Sequence, residues 1–269
     1  MAEAQLPNYE QIANRFDMWI PYLTPVSEAL LKHLPVDSNN TILDIACGTG
    51  EPGLSLARKH ISGVRIVGID SVPGMVSVAA AKAKSEGLNN IEFLVMKAEN
   101  LSFADSFFDG VMSRFGLMLL DNPNAGCSEM LRVLKIGGHY AVAVWDEPEK
   151  NTFFFSFARS FNEQVSVQNQ LPITLASRLA GANALPTLLN EGGASEITTE
   201  LFEFEMKFSS FKEIWALVED SGIFDAQFGL LSVDKRLAVR EGLEKLFSGF
   251  KHNSGYLIPH CCRLVWGKR

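Results

Sequence analysis

Residues 41–53 read T-I-L-D-I-A-C-G-T-G-E-P-G. A short β-branched apolar run meets an acid, then small residues, then two glycines one residue apart and a helix start. A strand ending in such a turn commits the chain to a strand–helix unit. Glycine lacks a Cβ and tolerates positive φ, so backbone can come close to a ligand. The free N–H groups at the head of the next helix then face whatever binds there.

The same rhythm continues through the first half of the chain. Residues 41–46 read as a strand and 51–60 as a helix, with Pro52 tolerated in its first turn. Residues 64–70 read as a second strand. Residues 73–84 follow as a helix, with Met75, Val76, Ala79, Ala80 and Ala83 on one face. Residues 91–95 and 108–113 are the third and fourth strands. Asn122 caps a helix that runs to Lys135 and stops at Gly137-Gly138, and residues 139–144 are the fifth strand. Strands apolar throughout suit a parallel sheet covered on both faces. Repeated alternation predicts a doubly wound α/β sheet with ligands at the carboxyl ends of its strands.

After Trp145 the rhythm breaks. Residues 151–161 carry five phenylalanines, too apolar for a free surface helix. Residues 171–193 are mixed, with Pro172, Pro186 and a stop at Gly192-Gly193. Residues 197–208 alternate apolar and charged side chains, as a half-buried edge strand does. Residues 211–219 and 234–250 read as amphipathic helices, and 263–267 as a last short strand. Without repeat or linker, residues 1–269 read as one domain. Residues 1–38 form an N-terminal helical arm over the ligand site, and 147–195 an inserted helical cap.

Composition narrows the function. A net charge of −7 without a basic block gives no footprint for phosphate backbones, so nucleic acid is not an expected partner. No apolar run reaches the ~18 residues of a membrane span. Residues 1–8 lack the basic start and apolar stretch of a signal peptide, so a cytoplasmic setting is expected. Cys47, Cys127, Cys261 and Cys262 form no C-x-x-C pair and no ligand spacing with the histidines, so no metal site is expected. The adjacent Cys261 and Cys262 suit opposite faces of a strand, with binding of a soft metalloid as the sharper alternative.

Gly48, Gly50 and Gly53 satisfy G-x-G-x-x-G with Asp70 about twenty residues on, which is also the dinucleotide fingerprint. Three details favour S-adenosylmethionine over a nicotinamide cofactor. Asp44 ends the strand where it can organise the loop and meet a methionine ammonium, while a pyrophosphate would be repelled. Ala46 and Cys47 give the turn its A-C-G-T-G shape. An aromatic arm stands in front of it.

Beyond the turn, the chain carries V-G-I-D-S-V-P-G-M (67–75), A-E-N-L-S-F-A-D-S-F-F-D (98–109), S-R-F-G-L-M (113–118) and M-L-R-V-L-K-I-G-G (130–138). In this order and spacing, covering a little under half the chain, it resembles the class I S-adenosylmethionine-dependent methyltransferases. The nearest branch is that of ubiquinone/menaquinone-biosynthesis and natural-product methyltransferases. The resemblance implies a mostly parallel seven-stranded Rossmann-like sheet with an antiparallel last strand. It implies that Asp44, Ala46, Gly48 and Gly50 cradle the methionine portion, and that Asp70 and Ser71 meet the ribose. Met75, Ala98 and Glu99 would border the adenine, with Arg114 and Phe115 near the sulfonium. The family often has an acid before the Ala-Glu pair; here it is Lys97, which shifts adenine recognition to Glu99 or to backbone.

In-line methyl transfer needs position and exclusion of water rather than a protein nucleophile. No catalytic base is assigned; His139 reads as structural, and His252 and His260 stay open. Tyr9, Trp19, Met118 and Trp145 are expected to contact a small apolar or aromatic acceptor, methylated at O or C. S-adenosyl-L-homocysteine would be the product. An NAD-dependent oxidoreductase, a non-catalytic cofactor-binding module and arsenic methylation through Cys261 and Cys262 are the alternatives, and a homodimer is an open expectation.

Overall fold

The computed structural model describes residues 7–171 and 177–269. Most of the stretch read for a leader signal, the start of the 1–38 arm, and Pro172 within the 147–195 insert lie outside the described residues.

The arm carries α1 (Tyr9–Ile12) and α2 (Ile20–Lys32), joined through a 3-10 turn over Phe16–Trp19. Strand and helix then alternate through β1 (Thr41–Ile45), α3 (Gly53–Lys59), β2 (Arg65–Asp70), α4 (Pro73–Ser85) and β3 (Ile91–Val95). Next come β4 (Phe108–Arg114), α5 (Pro123–Val133) and β5 (Leu134–Trp145). The second half adds α6 (Thr152–Asn162), α7 (Ala184–Glu191), β6 (Glu196–Phe208), α8 (Phe211–Asp220), α9 (Asp225–Phe228) and α10 (Val233–Phe247). It closes with the short β7 (Lys251–His252) and β8 (Gly255–Lys268).

One sheet holds these strands in the order β3-β2-β1-β4-β5-β8-β6, with β7 turned back on β8. The first five are parallel, and β8 runs antiparallel to both β5 and β6. The expected mostly parallel sheet with an antiparallel last strand is present. Chain order reverses between β1 and β4, which puts the ligand crevice at their carboxyl ends. β1 and β4 are buried almost throughout, because helices cover both faces of the sheet there.

Three local expectations change. β3 is not apolar on both faces: Glu92 and Val95 are exposed, because this strand is the sheet edge. α5 ends at Val133, and Leu134 already pairs with Phe108 before a bulge brings His139 opposite Gly110. Gly137, at φ +77°, turns the backbone inside that bulge rather than stopping a helix. The last strand begins at Gly255, not residue 263. Pro259 hid it, but Pro259 falls where β8 has only β6 beside it, so the missing N–H leaves no ladder bond unmade.

The inner face of the second half is aromatic. Phe153, Phe157 and Phe161 of α6 are fully buried, with Phe247 of α10 5.8 Å from Phe153 between ring centroids. α7 buries Leu185 and Leu189 against α5 and β6, away from the crevice. Cys261 and Cys262 are both buried on β8, and burial pushes both thiols up, Cys261 to about 11. Neither is a thiolate at neutral pH, and among the described residues no cluster of His, Cys, Asp and Glu could hold a metal.

Candidate active site

Two carboxylates shape the glycine turn. Asp44, at the end of β1, is fully buried, and its Oδ2 accepts from Gly53 N at 3.0 Å. It thereby ties the strand end to the first residue of α3. Burial pushes its carboxyl up to about 7, against the pull of the Arg114 guanidinium and the Gly53 N–H. Asp70, at the end of β2, accepts from Gly48 N at 2.9 Å and from Val72 N at 3.0 Å. Burial pushes its carboxyl up as well, and these N–H groups oppose the shift. Gly48 and Gly50 sit at φ +53° and +105°, the left-handed turn their spacing predicts.

At the switch point the backbone is strained where side chains must be aimed. Ala46 follows β1 at φ +54° and Phe115 follows β4 at φ +61°, both uncommon for residues with a Cβ. The Ser113 hydroxyl donates to Ile45 O at 3.0 Å and fastens the two strand ends together. Gly116 is required here: a Cβ on it would lie 2.4 Å from the Ala46 Cβ. Arg114 is buried beside this junction, donating from Nη1 to Ser27 Oγ at 2.7 Å. Burial lowers its pKa, and Asp44, Glu51 and Asp17 raise it in opposition.

These strand ends open into a cavity of about 500 Å³. Every residue expected at the cofactor or the acceptor lies on its wall except Asp44, which stands behind the turn, and Gly50, within it. Tyr9, Phe16 and Trp19 bring the arm over it. The Tyr9 hydroxyl is pushed up to about 12 by burial and by the negative charge of Asp70. Asp17 accepts from Thr49 Oγ1 at 2.5 Å and pairs with Lys82 at 2.9 Å, so the arm is strapped to the glycine turn and to α4. The arm is both core and cover: Ile12 and Trp19 are buried, while Tyr9 and Phe16 face the cavity.

The two ends of the cavity differ. At one stand Gly48, Glu51, Asp70, Lys97 and Glu99. Glu99 Oε1 accepts from Asp121 N at 3.0 Å, and Lys97 Nζ lies 3.7 Å from the Asp121 carboxylate. At the other end rings are stacked in pairs: Phe115 on Trp145 at 3.9 Å, Trp19 on Phe154 at 5.4 Å. Phe157 meets Phe224 at 3.8 Å.

Ile223, Phe224 and Gln227 complete this end, and sequence reasoning missed them by leaving residues 220–233 unassigned. The signal was an apolar stretch, I-F-D-A-Q-F, set between Gly222 and Gly229. His260 is not on the described wall. It is buried among Trp145, Phe153, Phe154 and Phe204, with Nδ1 3.0 Å from Ile258 O. Burial lowers its pKa to about 4, so it is neutral. His252 is exposed on β7.

A family model described as a methyltransferase domain matches residues 42–138, which contain the glycine turn, Asp70 and Arg114. A demethylmenaquinone methyltransferase of Bacteroides fragilis is 37% identical over 110 residues, 40% of this chain and 44% of that protein. A demethylmenaquinone methyltransferase of Bacillus pumilus is 30% identical over 187 residues, covering 64% of this chain and 78% of that protein. The chain thus spans under half the length of the first of these relatives and over three quarters of the second. The structure of Haemonchus contortus phosphoethanolamine N-methyltransferase 2 in complex with S-adenosyl-L-methionine has the same fold. Its TM-score is 0.62 at 16% identity, over 96% of this chain and 56% of that one. The chain belongs to the class I S-adenosylmethionine-dependent methyltransferases, and its relatives lie in the menaquinone-biosynthesis branch.

Proposed function

We propose that the protein transfers a methyl group from S-adenosylmethionine to oxygen or carbon of a small apolar or aromatic acceptor. One observation carries this reading: a single cavity joins a glycine turn flanked by carboxylates to a chamber of stacked rings.

The residues fit the cofactor. Gly48 leaves backbone open to a methionine chain, and Asp70 offers acceptor oxygens to ribose hydroxyls. Met75 and Ala98 give an apolar border to a flat base. With the Glu99 carboxylate engaged by Asp121 N, backbone around Lys97 and Ala98 would read the adenine edge. Asp44 acts through the turn that it braces. Bound there, the cofactor supplies an electrophilic methyl on a sulfonium. The chain supplies position: Phe115 and Trp145 would fix the acceptor plane, and the arm would keep water out. At the acceptor end, the Asp146 carboxylate is held by Arg263 at 2.5 Å, and no histidine is on the described wall, so no base is assigned.

A net charge of −7 and four free, buried cysteines support a cytoplasmic setting without a nucleic-acid partner. Calorimetry with S-adenosylhomocysteine tests the cofactor, and methyl transfer from labelled S-adenosylmethionine to a panel of phenols and quinols tests the reaction. Saturable binding and label in product are expected. Binding of NADH in place of S-adenosylhomocysteine would overturn the reading.

A further inference from the structure

Among the described residues two cations lie on the cavity wall, Lys97 and Arg114. Lys97 is mostly exposed and sits beside the Asp121 carboxylate. Arg114 is only 9% exposed, and its one hydrogen-bond partner is neutral, the Ser27 hydroxyl at 2.7 Å from Nη1. Its Nε is fully enclosed and can serve no ligand. Nη2 is neither enclosed nor hydrogen-bonded among the described residues, so it is the nitrogen left for something in the cavity.

Three carboxylates stand near enough for their charge to act on Arg114: Asp44, Glu51 and Asp17. Each is committed elsewhere. Asp44 accepts from Gly53 N, Glu51 from Ser55 and Arg58, and Asp17 from Thr49 and Lys82. None of them pairs with Arg114 among the described residues. A guanidinium taken out of water without an ion pair is destabilising, and an anion that completes it is bound the more tightly.

The surroundings select the anion. A phosphate would bring up to two negative charges among these carboxylates and Asp70, which stands on the same wall. A carboxylate brings one, and its two oxygens match the paired donors of a guanidinium. A sulfonium or an ammonium would be repelled.

We infer that Arg114 is a carboxylate-binding residue of the cavity, its guanidinium held by Ser27 and completed by a carboxylate that arrives with a ligand. The inference rests on the methyltransferase reading in that cofactor and acceptor are the ligands of this cavity. The carboxylate can come on the methionine portion of the cofactor or on the acceptor. Arg114 is placed for either, with Phe115 of the ring chamber next in the chain and the charge of Glu51 acting on it from the glycine turn.

Calorimetry separates the two sources. One arm compares S-adenosylhomocysteine with its decarboxylated analogue. The other compares 2-naphthoate with naphthalene on protein saturated with S-adenosylhomocysteine. In at least one arm the wild type should prefer the carboxylate about 10- to 100-fold, the scale of a hydrogen bond to a charged group. A preference in the first arm assigns Arg114 to the cofactor, and one in the second assigns it to the acceptor. Arg114→Met should abolish the preference and leave the carboxylate-free ligand bound as before. Its Tm should fall by less than about 4 °C, because Ser27 keeps its bond to Leu23 O at 3.3 Å and an unpaired buried charge is removed. Arg114→Lys keeps the charge and loses the fork, so the preference should shrink but survive; an unchanged ratio overturns the inference. So does a wild type without preference in either arm, or a preference that persists in Arg114→Met. Equal loss of both ligands of a pair assigns the guanidinium to the fold and overturns it too. If neither S-adenosylhomocysteine nor its analogue binds, the cofactor reading falls, and the naphthoate pair on the free protein decides whether Arg114 binds a carboxylate.

Discussion

Phe115 and Trp145 stack with ring centroids 3.9 Å apart and planes 14° apart, from the ends of neighbouring parallel strands. Phe115 reaches that position only through a left-handed backbone, which costs on the order of 1–3 kcal/mol. The stack and the burial of both rings offset the strain. Trp145→Ala should therefore lower stability by about 3–5 kcal/mol in urea unfolding. A loss below about 1 kcal/mol would mean that Phe115 holds its conformation without the partner.

Asp70 holds the glycine turn through Gly48 N while its carboxylate stands on the cavity wall. Asp70→Ala should weaken S-adenosylhomocysteine roughly 10- to 100-fold in calorimetry, the scale of a lost hydrogen bond to a charged group. Unchanged affinity would reject the ribose assignment.

The arm is strapped down by polar contacts at the surface, Asp17 with Lys82 and Arg15 with Asp225 at 2.7 Å. All four side chains are partly exposed, so each pair contributes under about 1 kcal/mol. Lys82→Ala should leave global stability within that limit. Amide exchange over residues 9–19 should nonetheless rise, as it should in high salt for the parent protein. Exchange that does not change would show that the apolar contacts of Trp19 hold the arm by themselves.

His260 links stability to acid. Its folded pKa of about 4 lies below the ordinary 6.5 because burial disfavours the imidazolium. The unfolded chain thus binds the extra proton between these values. Stability is fully present above pH 6.5 and is lost as pH falls toward 4, by up to about 3 kcal/mol. Asp44, raised to about 7, acts oppositely, since its ionisation costs stability as pH rises toward that value. The wild-type curve mixes both, so the difference between wild type and His260→Phe in Tm against pH isolates the histidine. A difference flat from pH 4 to 6.5 would show that His260 is charged in the folded protein.

What was legible in the sequence follows from how local each signal is. The turn from Asp44 to Gly53, the acid at Asp70 and the elements from β1 to α4 are consecutive strand–helix units, each legible from its own local pattern. β8 was half hidden because Pro259 is acceptable only when the far side of the strand is empty, and that depends on where β5 stops. The acceptor end was least legible. Trp19, Phe154 and Phe224 meet there from places far apart in the chain, and no periodicity within one segment announces a contact between three. The unassigned stretch around Gln227 hid for a similar reason: α9 is a single turn, too short to show a period.

The placement of β8 between β5 and β6 has a consequence for synthesis on the ribosome. β6 is made well before β8, yet it touches the sheet only through β8. Until residues 255–268 have emerged, β5 presents an open edge and β6 has no partner, while the strands of the glycine turn can already be paired. The nascent protein therefore passes through a stage with a formed cofactor half and two unsatisfied strand edges, the kind of surface on which chaperones act. A stop codon at the start of the last strand would leave the protein at that stage.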